Sequence, residues 1–343
     1  MRRDYHAQRT GMIITAIVAT VFPMAVAAQA PATGAAQAPS TGSAQVFPTR
    51  AVRYIMPLPA GSETDVFART LARQLGDTWN QQVLVENRPG GGTTIASDVV
   101  AKVTPDGHTL LHAITAHAIN VTLYAKLPYD TQKDFSCVTQ IGNLYGLLLV
   151  HPAFPAKNVA QLIQLAKARP GEISYATGGS GTQNHIAMEA LRLAAGINIQ
   201  HVPYKGTSLA ILDVLPGRVP LLATILAEAV PYIQSGKVRV IAGTSPRRAP
   251  SLPDVPTLSE TLPAYRAGSG LWAIVTRAGT SPALLTKLNA DIVKALQTPD
   301  VRARLTQADI EIIGSRPEQC DVFLREQIAL WGATVKASGA RVD

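Results

Sequence analysis

The chain has 343 residues, 16% of them charged and 47% hydrophobic, with a formal net charge of +8. That length exceeds one small core and calls for one large or two medium domains. Basic residues are scattered, with Arg247-Arg248 the longest run beyond the leader, so no stripe or aromatic platform for nucleic acid is visible and no such partner is expected; the diffuse positive surplus favours small anions.

Arg2, Arg3 and Arg9 precede an apolar stretch from Gly11 to Val26 and the small-residue sites Ala25-Val26-Ala27 and Ala28-Gln29-Ala30. This is the layout of a cleaved secretory signal over residues 1–30. An uncleaved anchor is the alternative, disfavoured because Pro23 interrupts a stretch already shorter than the ~20 residues a spanning helix needs. Arg2-Arg3 lacks the hydrophobic residues that follow the pair in a twin-arginine signal. Residues 31–46, almost entirely Ala, Pro, Thr, Gly, Ser and Gln, cannot bury a core and read as a flexible tether.

From Ala51 short β-rich runs alternate with amphipathic helical stretches, which predicts an α/β fold with parallel strands. The predicted strands are Arg53–Met56, Val83–Glu86, Thr109–Ile114, Gly146–Val150, Glu172–Ala176, Val219–Ile225, Val238–Thr244 and Leu271–Val275. Asn158 to Gln161 fits a capping box, and Ser281-Pro282 sets a cap before a proline at the first helical position. Behind it Leu285, Leu288, Ile292 and Leu296 form one apolar stripe. Turn-rich stretches at 151–158 and 246–256 are places for the chain to cross between two lobes.

Two turns carry anion chemistry. After the first strand, Pro57-Leu58-Pro59-Ala60-Gly61-Ser62 opens onto a helix with Val66, Leu71 and Leu75 on one side. A glycine-containing turn at a helix N-terminus presents unpaired backbone N–H groups and the positive end of the helix dipole. Ser62 and Asp65 also read as a capping pair, whose simpler role is to start the helix. The stretch Tyr175-Ala176-Thr177-Gly178-Gly179-Ser180-Gly181-Thr182-Gln183-Asn184-His185 repeats this arrangement in the other half. Two such turns can grip two ends of a diacid or one end of a monoacid.

Enzyme motifs fail at these turns. Thr182 stands where G-x-S-x-G needs glycine after Ser180, and no base is fixed beside that serine. There is no G-x-x-x-x-G-K-[ST], and Arg88-Pro89-Gly90-Gly91-Gly92 lacks the dinucleotide spacing. No nucleophile–base pair, and hence no catalytic residue, can be named. His108 and His112 are four apart, but on a predicted strand that is ~13 Å, too far for one metal ion. His117, His185 and His201 lack ligand neighbours, so neither metal nor cofactor is expected; His185, in the first turn of its helix, is the histidine best placed to touch a ligand. Cys137 and Cys320 are compatible with one long-range disulfide in an oxidising compartment, or with two buried thiols.

The segments MPLPAGSETD (56–65), VENRPGGGTTIA (85–96), TPDGHTLLHA (104–113), LPYDTQKDF (127–135), SYATGGSGTQNH (174–185), HVPYKGT (201–207) and LPDVPTL (252–258), in this order, resemble the solute-binding proteins of tripartite tricarboxylate transporters, the Bug family. The resemblance implies a two-lobed periplasmic-binding-protein fold of type II, with residues 47–150 plus 272–343 as the first lobe, 151–271 as the second, and a ligand cleft between them. It implies that a small carboxylate is held by Leu58, Pro59, Ala60, Gly61, Ser62 and Asp65 on one side and Thr177, Gly178, Ser180, Gly181, Thr182 and His185 on the other. Further contacts are implied at Thr115, His117, Tyr204, Lys205, Gly206 and Thr224. A periplasmic monomer that delivers its ligand to membrane transporter subunits in transient contacts is the implied role. An orphan receptor feeding a membrane sensor is one alternative, and a hydrolase or isomerase on a borrowed fold is another.

Two departures from the family pattern bear on specificity. The usual double glycine of the first turn is Gly61-Ser62, which restricts backbone approach and adds a hydroxyl. The acid commonly found after the valine of the strand at 219, and the acid or amide a few residues later, correspond to Pro220 and Thr224, so an amino-acid ammonium is expected to lack a counter-charge there and a plain or hydroxylated carboxylate is favoured.

Overall fold

The structure, a computed structural model, describes residues 47–342. The signal and tether expected over residues 1–46 lie outside the described residues. No helix among the described residues is long and apolar enough to cross a membrane.

The first lobe begins with β1 (Val52–Met56), α1 (Glu63–Trp79), β2 (Val83–Asn87), α2 (Thr94–Ala101), β3 (Thr109–Ile114), α3 (Thr115–Leu123) and β4 (Phe135–Leu144). The second lobe holds β5 (Gly146–Val150), α4 (Val159–Ala168), β6 (Ser174–Thr177), α5 (Gln183–Ala195), β7 (Gln200–Pro203) and α6 (Thr207–Val214). It continues with β8 (Leu221–Ile225), α7 (Leu226–Gln234), β9 (Arg239–Gly243) and α8 (Leu258–Thr261). The chain then returns to the first lobe as β10 (Gly270–Arg277), α9 (Pro282–Leu296), α10 (Pro299–Gln307), β11 (Glu311–Ile312) and α11 (Pro317–Ser338). The sheets run β11-β4-β10-β3-β1-β2 and β7-β6-β8-β5-β9.

Both sheets are mixed, where the sequence predicts parallel strands. β1 is parallel to β2 and β3, but β10, arriving from the other lobe, lies antiparallel to β3 and β4. β5 is likewise antiparallel to β8 and β9. Crossing the cleft reverses the direction in which a strand enters a sheet, and a pattern of buried runs does not record direction. The crossing also falls earlier than expected. Gly146–Val150 already belongs to the second sheet, so the chain changes lobe at Tyr145 and not at 151–158, and the return precedes Gly270.

Each sheet is covered on both faces. Phe67, Leu71 and Leu75 of α1 pack with Leu288, Ile292 and Leu296 of α9 against Tyr54 and Met56, while Ile55 faces Val100, Ile119 and Trp331. This is the two-sided burial that gives a strand a continuous apolar run. Val66 is only half-buried, and Phe67 takes the core place the sequence assigns to it. In the second lobe Ile211, Val214 and Leu226 pack on Leu147, Leu149 and Leu222, and Leu162 and Ile186 lie in the cluster on the other face.

The caps act as the sequence predicts, with one variation. Ser281 Oγ accepts from Leu284 N, and Asn158 Oδ1 accepts from Gln161 N at 2.9 Å, but Gln161 Oε1 takes the N–H of Lys157 instead of Asn158, so the box is half closed. Cys137 on β4 and Cys320 on α11 are joined by a disulfide with a Cα–Cα separation of 5.8 Å, which resolves the open alternative and ties the last helix to the first sheet.

Candidate functional site

Strand, turn and helix follow each other twice so that α1 and α5 both start at one cleft. At the first turn Ser62 caps α1, its Oγ accepting from Asp65 N at 3.2 Å. Asp65 is 2% exposed, and its carboxylate accepts from Gly61 N, Arg69 Nε and Asn87 Nδ2 at 2.9, 3.0 and 2.9 Å. Asn87 Nδ2 also donates to Leu58 O. Burial acts to raise the Asp65 pKa, but the hydrogen bonds from Arg69, Gly61 and Asn87 outweigh it, so the group stays below the usual carboxylate range.

The second turn is braced from behind. Thr182 caps α5, donating to Gly179 O at 2.8 Å while accepting from His185 N. Gly181 N donates to His185 Nδ1 at 3.0 Å, which fixes that nitrogen as an acceptor. The His185 ring stacks on His201 with centroids 4.0 Å apart, and His201 Nε2 meets Thr177 Oγ1 at 2.7 Å. Burial lowers the pKa of His185 and, together with the neighbouring His185, holds His201 down at about 4. Gly181 has φ +74°, a conformation that favours glycine, and a Cβ there would push against the end of the Leu123 side chain of the opposite lobe.

The cleft has a volume of about 650 Å³, within the size range of small-molecule sites. Of the residues singled out from the sequence, Leu58, Pro59, Thr115, Gly178, Ser180, Gly181, Thr182, Lys205 and Gly206 line it. Ala60, Gly61, Ser62, Asp65, Thr177, His185, Tyr204 and Thr224 do not; most of them shape the turns from behind. Tyr204 OH, for example, donates to Asp213 at 2.7 Å, and burial followed by that carboxylate raises its pKa to about 12.

His117 is the clearest correction. It is 1% exposed, its Nδ1 meets Ser97 Oγ at 3.1 Å, and its ring packs against Tyr129 and Phe135 behind the cleft. The helical turn that exposes Thr115 to the cleft carries His117 to the opposite, core-facing side.

Several lining residues escape the sequence reading. Gln183 and Asn184 stand inside the motif at 174–185, whose glycine and hydroxyl signals do not distinguish them. Asn120, Leu123, Tyr124 and Val342 come from α3 and the C-terminal segment, which a backbone bond from Val342 N to Leu123 O holds in place. Glu228 on α7 also lines the cleft, and Thr224 Oγ1 donates to its Oε2 at 2.6 Å. No helical spacing marks it, because Thr224 lies near the end of a strand and Glu228 stands in the first turn of the helix that follows. It restores an acid next to the position where the strand lacks one, so the expectation that an ammonium would find no counter-charge does not hold.

Two α/β lobes, each presenting a helix N-terminus to a shared cleft, define a two-lobed solute-binding protein. The family model described as tripartite tricarboxylate transporter family receptor (TctC) matches residues 67–340, and the chain belongs to that family. It is similar to Protein BugT of Bordetella pertussis, at 33% identity over 86% of this chain and 91% of that protein. Among solved structures, Rhodopseudomonas palustris MatC (Rpa3494) with bound malate matches at TM-score 0.73 and 31% identity, covering 84% of this chain and 100% of that one. R. palustris Rpa4515 with adipate matches at TM-score 0.76 and 31% identity, covering 85% and 98%.

Proposed function

We propose that this chain is a periplasmic receptor that captures a small organic carboxylate in its cleft and delivers it to the membrane subunits of a tripartite tricarboxylate-type transporter. The observation that carries this reading is the second turn. The α5 N-terminus opens on the cleft with no acidic residue in its first turn, and Ser180, Gly181 and Thr182 line the wall beside Lys205. Backbone donors, the helix dipole and one cation converge there on the place a carboxylate would occupy. The malate and adipate held by the two similar structures support the same class of ligand. The receptor acts by binding, and its work is release to a partner.

The test is thermal unfolding of the mature protein against small mono-, di- and tricarboxylates. A ligand specific to the folded state, present at 100 times its Kd, stabilises by about 2.7 kcal/mol. A shift for at least one carboxylate is expected, and Ser180→Pro, which removes a turn donor, reduces it. No shift from any carboxylate overturns the reading.

A further inference from the structure

Lys205 and Glu228 both line the cleft, both on the second lobe, and neither forms an ion pair among the described residues. They are the two formally charged side chains of the cleft wall. Glu228 Oε2 accepts from Thr224 Oγ1, which orients the carboxylate, and Thr224 Oγ1 lies 3.5 Å from Thr207 Oγ1. Thr207 in turn packs against Gly178, so a short run of contacts links the acid to the anion-binding turn. Asn184, also on the wall and 8% exposed, has a buried Oδ1 with no hydrogen-bond partner. The second lobe therefore presents a cation and an anion on the cleft wall, with one buried acceptor of Asn184 left without a partner behind it.

Resting on the carboxylate reading above, we infer that the ligand is a zwitterion, an amino-carboxylate whose carboxylate sits at the α5 turn and Lys205 and whose ammonium faces Glu228. Glu228 is exposed on the cleft wall, where its charge repels a second carboxylate and attracts an ammonium. The opposite wall, with Leu58, Leu123, Tyr124 and Val342, is apolar and selects an apolar side chain on the zwitterion.

The experiment is calorimetric titration of the mature protein with two matched sets: leucine, 2-hydroxy-4-methylpentanoate and 4-methylpentanoate; and phenylalanine, 3-phenyllactate and 3-phenylpropanoate. In at least one set the amino acid binds on the order of tenfold or more tighter than the analogue without the amino group, since a hydrogen bond to a charged group is worth that much. Glu228→Gln, which keeps an acceptor for Thr224 but removes the charge, reduces that ratio to about threefold or less. Equal or tighter binding of the hydroxy or plain acid overturns the zwitterion while leaving carboxylate capture standing. An unchanged ratio in the variant overturns the role of Glu228. Binding of only diacids such as malate and succinate in a wider panel also overturns the zwitterion, and silence from every carboxylate overturns both readings.

Discussion

Thr115 Oγ1 donates to Gln183 Oε1 at 2.7 Å, joining residues 68 positions apart on opposite lobes, while the same oxygen accepts from Leu271 N at 2.8 Å. One buried hydroxyl thus clips the start of α3 to the start of α5 at the floor of the cleft. Thr115→Val keeps the shape but removes both bonds. It is expected to lower stability by about 1–3 kcal/mol, the cost of leaving buried polar groups unpaired, and to weaken ligand binding severalfold because the closed arrangement loses a tie. Denaturant unfolding and calorimetric titration measure the two effects; unchanged affinity shows that the clip plays no part in closure.

Asp65 shapes the first turn without lining the cleft. Asp65→Ala removes the acceptor of Gly61 N, Arg69 and Asn87, and is expected to cost about 2–3 kcal/mol. Because its pKa is depressed by folding, its contribution is present above the ordinary carboxylate range and is lost as pH falls through the folded value. Asp65→Asn, which keeps the shape and one acceptor, retains part of the stability and loses that acid dependence. Equal melting of the two variants contradicts the assignment.

The stacked histidines predict a second pH effect. Folding lowers the pKa of His185 and holds His201 near 4, and complete burial does the same to His112 and His117, at about 3 and 4. The unfolded chain therefore binds more protons than the folded chain as pH falls below ~6.5, so stability is full above that value and declines toward the folded values. Between about pH 6.5 and 5, above the range in which ordinary carboxylates titrate, the melting temperature is expected to fall steadily. His201→Gln flattens the slope. A flat profile for the unmodified protein contradicts it.

Cys137 and Cys320 enclose a long loop, with a sequence separation of 183. Closing so long a loop restricts the unfolded chain, so reduction, or replacement of both cysteines by serine, is expected to cost about 2–5 kcal/mol. Melting with and without reductant measures it, and the double variant melts at the same temperature in both.

The two strand–turn–helix units were legible because their signals are local: a β-rich run, a glycine turn, a capping hydroxyl. β4 was not. Its sequence FSCVTQIGNL lacks the density of branched residues expected of a central strand, because its polar side chains are satisfied within the fold, Thr139 by Ser315 O and Gln140 by Asn143. Glu228 was hidden for a related reason. The family pattern directs attention to the strand, where Thr224 stands, whereas the acid reaches the cleft from the following helix. Which turn residues face the cleft and which brace the turn, as with Ser180 against His185, depends on rotation about a helix axis that spacing alone does not orient.

The disulfide fastens α11 to the first lobe, yet α11 also packs on α5, the helix that begins at the second turn. Any movement of that turn away from the first lobe displaces α5 against α11. None of the residues of α11 lines the cleft. Substitutions along that seam are therefore expected to change how readily the turn moves while leaving the side chains that line the cleft unaltered.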